Sequence, residues 1–340
     1  YRVGYEEEVD GKKKLKFNYY YIKDDSPVDV ETQVRINKLG LAPAYKEVWV
    51  SEDVDSKIQA TGMDDRGRKQ YRYHPDAISE SCTNKFLRLY KFIKKMPILE
   101  EKIDEDMKMP MYSKNRTIAI MLKIVSELNM RAGKEQYAQE NKSYGISSLK
   151  KSHVNVVDDD TIKFSFKGKS NKHVSYTMRD AQIAEELRLL MNLEGEKMFQ
   201  YMTLKGNVLR VTDTDMNGYI KSYIGNGFTV KDYRTYAANL YFIKALLQET
   251  KKRTPKDKKT IKKNLSLAQE STAFHLRHTK SISKKSYTME LIRDMYMTNP
   301  EWFIENKMKR PLTVLLEILK IYKDKIRCDS ENQGKTTDTE

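Results

Sequence analysis

The sequence is poor in the residues that build metal and redox centres. Its 340 residues include two cysteines, Cys82 and Cys328, far apart in the chain. It has no CxxC pair and no Cys/His spacing that could hold zinc, and such sparse cysteine usage points to a reducing, intracellular compartment. No apolar run approaches the roughly 20 residues needed to span a bilayer, so no membrane partner is expected. A phosphate-binding loop of the GxxxxGK[ST] kind is absent, as is any internal repeat. Residues 1–4 carry no signal-peptide pattern, and Tyr1 in place of Met implies a processed or trimmed chain. Asp158, Asp159 and Asp160 are consecutive, so their carboxylates splay apart; they read as a turn, and no metal site is expected.

Positive charge and tyrosine are abundant. Lys and Arg number 63 against 48 Asp and Glu, a formal net charge of +15, which calls for an acidic partner, most often nucleic acid. The 22 tyrosines are interleaved with these cations. Rings and cations together suit packing against sugars, bases and phosphates, although most of the rings must be core.

Periodicity divides the chain. Residues 1–76 read as a small, mostly β domain: residues 14–22 and 47–50 are strand-like, 33–40 suit a short helix, and Asp10-Gly11 and residues 24–27 mark turns. This domain ends in a basic-aromatic strand containing Arg68, Gln70, Tyr71, Arg72 and Tyr73. Tyr71 and Tyr73 share one face and Arg72 the other. That arrangement offers cations to phosphates and flat rings to sugars or bases, or else a solvated edge strand. His74-Pro75 breaks the strand, and residues 77–82 read as a linker. A larger, mostly helical domain is expected over 83–327, giving an α+β chain with a polar, disordered tail over 328–340. Within it, Phe86, Leu89, Tyr90 and Ile93 form a helical stripe that Pro97 should stop, and Ile118, Met121, Leu122, Val125 and Leu128 form another. Gly133 suits the C′ position of that second helix, which places Arg131 at a helix end. Residues 153–176 switch to a period of two and form a small sheet with Lys169 on a hairpin turn. Thr212 and Thr229 suit helix N-caps, with Arg234 in the second turn after Thr229. The basic run 251–263 reads as a solvated linker or a DNA contact. Helices are expected at about 287–297 and 312–326.

One decapeptide has chemistry in it. His278 is followed by a Ser/Lys-rich turn and, nine residues on, by Tyr287. A phenol, with a pKa of about 10, becomes a useful nucleophile where cations stabilise the charge that develops in attack. Attack on a phosphodiester without a metal asks for guanidiniums on the non-bridging oxygens, a histidine donor, and an ammonium to protonate the departing oxygen. Arg131, Lys169, Arg234 and His278 supply these residue types. His275 is a competitor for His278, but its spacing to Tyr287 is wrong.

The order Arg131-Ala132-Gly133-Lys134-Glu135-Gln136-Tyr137, Lys169 in a hairpin, Lys231-Asp232-Tyr233-Arg234 with Asn239, and His278 to Tyr287 resembles the poxvirus-type DNA topoisomerases IB, enzymes of large DNA viruses and some bacteria. The strand with Arg68, Gln70, Tyr71 and Tyr73 looks like that family's DNA-clamping strand. The resemblance implies a small β domain and a larger helical catalytic domain of the tyrosine recombinase/topoisomerase IB type. Together these form a C-shaped clamp, hinged near 77–82, that acts as a monomer on duplex DNA. It further implies a 3′-phosphotyrosyl link at Tyr287, with Arg131, Arg234 and His278 on the scissile phosphate and Lys169 as general acid. Lys231 is implied as a lesser helper, with Lys134, Tyr137 and Asn239 as DNA-binding residues. Relaxation of supercoils by nicking, swivelling and religation then needs neither ATP nor a divalent metal. If the chain is viral, it acts in the virion and at the host-cell site of viral DNA replication or transcription. Members commonly carry Gly before the histidine and Pro after the following Thr; here Arg277 and Lys280 stand there. A tyrosine recombinase carrying out strand exchange is the alternative, but its usual His-x-x-Arg is here Lys231-Asp232-Tyr233-Arg234.

Overall fold

The computed structural model of the chain describes residues 1–9 and 12–335. The chain divides into two compact units, one ending at Lys85 and the next beginning at Phe86. The expected Asp10-Gly11 turn lies outside the described residues, as do the last five residues of the expected tail.

The first unit is mostly β. Strands Arg2–Val9 and Lys12–Tyr19 pair as an antiparallel hairpin. Lys46–Val50, Ile58–Met63 and Lys69–Tyr73 form an antiparallel three-stranded sheet in that order. Between them lies the helix Val30–Lys38, capped by Asp29, whose carboxylate accepts the Thr32 N–H at 2.8 Å. The last strand alternates as its sequence indicates. The rings of Tyr71 and Tyr73 stack with centroids 5.9 Å apart, while Arg72 turns away and donates to the carbonyls of Leu39 and Gly40 at 3.0 and 2.9 Å.

The residues expected to form a linker, 77–82, are instead helical, within Pro75–Asp106. Pro75 ends the strand, yet its fixed φ and missing N–H suit the first turn of a helix, and the His74 carbonyl accepts the Ile78 N–H at 3.1 Å. Nor does Pro97 stop this helix. The apolar stripe continues past it through Leu99 and Ile103, both buried, and that packing offsets the lost hydrogen bond.

The second unit is helical around a small sheet. Its core runs through Phe92, Leu122, Phe164, Phe199 and Tyr233. Strands Val154–Val156, Thr161–Lys167 and His173–Arg179 form an antiparallel sheet in chain order. The turn between its first two strands is held by Asp158, whose carboxylate accepts the N–H groups of Asp160 and Thr161 at 3.1 and 2.7 Å; these bonds pull its pKa down to about 2. Helix Asp213–Ile224 is capped by Thr212, whose hydroxyl accepts the Asp215 N–H at 3.1 Å.

The basic run 251–263 is a linker only over residues 253–257. It closes helix Val230–Lys252 and opens helix Lys258–His275, which Asp257 caps by accepting the Thr260 N–H at 2.9 Å. Ile261 and Asn264 on its inner face are buried, so the lysines beside them are the solvent side of an amphipathic helix. The final helix, Pro311–Lys335, also outruns its expected end at 326. The polar residues from 328 onward contain no proline and no glycine before Gly334, so nothing in them breaks the helix.

Candidate active site

Tyr287 sits on an irregular turn. After one α-helical turn, Lys280–Ile282, which Thr279 caps, the chain widens into a π-helical turn, Ser283–Tyr287. The Thr288 N–H closes it on the Ser283 carbonyl at 3.0 Å. Buried polar side chains hold this turn to helix Lys258–His275: Gln269 Nε2 donates to Ser283 Oγ at 2.6 Å, and Thr288 Oγ1 donates to Gln269 Oε1 at 3.1 Å. None of these three residues carries a signal in the sequence, because Ser, Thr and Gln are common on surfaces and only the fold shows them buried.

Asn239 holds the turn from the other side. Its Nδ2 donates to the Tyr287 carbonyl at 3.1 Å and its Oδ1 accepts the Met289 N–H at 2.9 Å. The side chain is 0% exposed, with donor and acceptor both engaged. Asn239, expected as a DNA-binding residue, is thus placed against the backbone of the tyrosine turn.

Arg234 comes from the second turn of helix Val230–Lys252 and is 2% exposed. Its Nη2 donates to the Leu276 carbonyl at 2.9 Å and its Nη1 to the Asn129 carbonyl. The guanidinium carbon lies 5.4 Å from the centroid of the Tyr287 ring. The His278 ring stacks on the same ring at 4.9 Å. Both its ring nitrogens are buried and have no hydrogen-bond partner among the described residues.

Arg131 lies on the loop after helix Lys114–Leu128. The left-handed residue that ends this helix is Asn129, with φ 54°, rather than Gly133; asparagine tolerates that region because its short amide bonds locally. Gly133 has a different task. The Arg131 and Ala132 carbonyls accept the Ile146 and Ser147 N–H groups at 2.9 and 2.8 Å, and the Gly133 carbonyl accepts the Ser147 hydroxyl at 3.0 Å. For this the two backbones must nearly touch. A Cβ on Gly133, whose φ is +82°, would lie 2.7 Å from Gly145 backbone atoms. The loop thus packs against Gly145, and Arg234 ties its start to the helix that faces Tyr287.

These cations set the protonation states. Burial pushes the Tyr287 phenol up, but the charges of the nearby Arg234 and Arg131 outweigh it, and the pKa falls below its ordinary value of 10.0. His278 is pushed down to about 4, first by burial and then by the two arginines. At neutral pH it is an uncharged imidazole whose one N–H is a donor. Burial also lowers the Arg234 pKa, as does Arg131, while Tyr287 opposes them.

The other expected residues are not drawn into this group. Lys169 lies exposed on a short turn, Lys169–Asn171, between two strands, and among the described residues it makes no hydrogen bond or ion pair. Lys231 is exposed in the first turn of its helix. Lys134 and Tyr137 are exposed at the short helix Glu135–Asn141. His275 stacks on Tyr241 at 4.5 Å and is exposed. In the first unit, Arg68 and Gln70 both donate to Asp64, at 2.8 and 3.0 Å, and the Arg68 bonds hold the Asp64 carboxyl down at about 2. The stacked Tyr71 and Tyr73 are 42% and 50% exposed.

Residues 74–307 match the family model described as eukaryotic DNA topoisomerase I, catalytic core, and residues 16–64 match bacterial DNA topoisomerase IB, N-terminal domain. The longer match takes in Arg131, Lys169, Arg234, His278 and Tyr287. The chain is 50% identical over 312 residues to DNA topoisomerase 1B of Acanthamoeba polyphaga mimivirus, covering 91% of this chain and 93% of that protein. It is 26% identical over 280 residues to DNA topoisomerase 1B of vaccinia virus (strain Copenhagen), covering 81% and 83%. With half its residues shared along nearly the full length of a relative, this chain belongs to the type IB DNA topoisomerases.

Proposed function

We propose that this type IB topoisomerase relaxes supercoiled duplex DNA by a transient 3′-phosphotyrosyl link at Tyr287. The observation that carries the reading is the half-buried Tyr287 ring, with the Arg234 guanidinium carbon 5.4 Å from its centroid and the His278 ring stacked on it at 4.9 Å; the charges of Arg234 and Arg131 hold the phenol below its ordinary pKa. The Tyr287 Oη attacks the scissile phosphorus, losing its proton to water, as the bond from phosphorus to the 5′-oxygen breaks. Arg131 and Arg234 take the charge that builds on the non-bridging oxygens, and His278 donates its N–H to one of them. Lys169 protonates the departing 5′-oxygen, and Lys231 assists near the phosphate. The freed strand swivels, and the 5′-hydroxyl then attacks the phosphotyrosine and restores the phosphodiester. The adduct conserves the bond energy, so ATP is not consumed, and the guanidiniums supply the charge that a divalent metal would otherwise bring.

The enzyme acts as a monomer whose two units close on duplex DNA as a C-shaped clamp. Arg68, Gln70, Tyr71 and Tyr73 of the β unit and Lys134 and Tyr137 of the catalytic unit contact the DNA. A net charge of +15 supports binding that weakens steeply as salt rises. The viral relatives support service to the DNA of a large DNA virus, in the virion and where that DNA is replicated or transcribed. The test is plasmid relaxation in EDTA without ATP, followed by mapping of the DNA end attached to protein. Relaxation with the protein on the 3′ end is expected; a need for Mg²⁺, or attachment at the 5′ end, overturns the mechanism.

A further inference from the structure

Helix Lys258–His275 ends in a costly way. The His278 N–H returns to the Ala273 carbonyl and the Arg277 N–H to the Phe274 carbonyl, both at 3.1 Å. This paired pattern requires a left-handed residue at the position that Arg277 fills with φ 52°. Glycine usually stands there because a Cβ is disfavoured in that region. An arginine at such a position is strained, so its side chain should be making a contact that compensates. It makes one: the Arg277 guanidinium carbon lies 4.3 Å from the centroid of the Tyr176 ring, well inside cation–π range.

Tyr176 belongs to strand His173–Arg179 of the hairpin that carries Lys169. The third strand, Val154–Val156, supports that hairpin only as far as Phe164, the register partner of Tyr176. Beyond this pair, among the described residues, the two hairpin strands have only each other as sheet partners. The Tyr144 N–H holds the Lys167 carbonyl at 2.8 Å. At the last supported pair the Tyr176 ring meets Arg277. The residues flanking Arg277 are Leu276, whose carbonyl anchors Arg234, and His278, whose ring lies on Tyr287.

We infer that Arg277 is a positioning residue. It clamps the Lys169 hairpin to the corner that presents His278 and Tyr287, and so sets where the ammonium stands relative to the leaving 5′-oxygen. The inference rests on Lys169 being the general acid. It differs from a DNA-contact role for Arg277, because its effect should fall on the leaving group alone.

The test measures single-turnover cleavage of a duplex at one mapped site, at saturating protein, with either an ordinary phosphodiester or a 5′-bridging phosphorothiolate. A sulfur leaving group departs as thiolate and needs no proton. Arg277→Gly suits φ 52° without strain, so its fold and thermal midpoint should hold. We expect it to cleave the ordinary substrate about tenfold more slowly, a fraction of the roughly 10²–10⁴ that general acid catalysis provides. On the phosphorothiolate it should stay within about twofold of the parent enzyme. Equal slowing on both substrates, or slowing on neither, overturns the clamp. Lys169→Ala on the same pair separates the two ideas. Rescue of Lys169→Ala without rescue of Arg277→Gly removes the clamp and leaves the acid. No rescue of Lys169→Ala removes the acid role, and with it this inference.

Discussion

The His278 ring stacks on the Tyr287 ring at 4.9 Å, and both imidazole nitrogens are buried without a partner among the described residues. A charged imidazole there would face Arg234 and Arg131 with nothing to balance it, and its pKa is pushed down to about 4. We predict a His278 NMR titration midpoint near 4, with no inflection in the rate of cleavage between pH 6 and 8 that disappears in a His278 variant. The linkage has a definite sign. The unfolded chain binds the proton at 6.5 and the folded chain only near 4, so the stability associated with neutral His278 is intact above about pH 6.5 and is lost as pH falls towards 4. A midpoint at or above 6 would contradict the neutral donor.

Tyr287→Phe removes the hydroxyl proposed to attack and keeps the ring that His278 and Arg234 face. Relaxation should fall by roughly 10⁴ or more, while duplex affinity measured by filter binding stays close to that of the parent. Relaxation by the Phe variant at the parent rate would mean that another residue attacks.

The parts of this site that were legible in the sequence are those whose residue type is itself the chemistry. Arg131, Arg234, His278 and Tyr287 stand out because a metal-free attack on phosphate needs those groups, and they converge on one another in space. The supports were illegible. Gly133 reads as a helix stop, but it exists to let Gly145 approach, and nothing in the sequence pairs glycines twelve positions apart. Asn239 is implied only as a DNA-binding residue, and nothing in the sequence shows that it is fully buried. Pro97 and the lysines of 251–263 read as breaks in helix, because local propensity is visible in sequence and the packing that overrides it is not. The two-part α+β architecture was legible from the change of period, whereas the helix across 77–82 was hidden behind a proline that ends a strand and begins a helix.

The Gly133–Gly145 approach gives a third prediction. A methyl on Gly133 meets Gly145 backbone at 2.7 Å in a residue whose φ is +82°. Gly133→Ala should destabilise the protein by about 1–3 kcal/mol, read as a lower midpoint in urea. It should also slow cleavage by more than that loss explains at temperatures where the variant is still folded, because the loop that moves carries Arg131. Unchanged cleavage in a folded Gly133→Ala protein would show that Arg131 is not placed by this packing.

Asn239 gives the fourth, and it separates support of the tyrosine from contact with DNA. Its amide serves the Tyr287 carbonyl at 3.1 Å and the Met289 N–H at 2.9 Å, with no exposure to solvent. Asn239→Ala leaves both backbone groups buried and unpaired, at a cost of about 1–3 kcal/mol for each left unsatisfied. Asn239→Asp keeps the acceptor for the Met289 N–H but loses the donor, and it adds a buried carboxylate close to the Tyr287 carbonyl, so it should be at least as damaging as alanine. Both variants should slow cleavage in single-turnover assays, because the turn that aims the phenol loosens. Their affinity for duplex DNA and its salt dependence should match the parent's, because a buried amide releases no counterions. A variant with weakened binding and an unchanged cleavage rate at saturation would reverse this assignment and return Asn239 to the DNA interface.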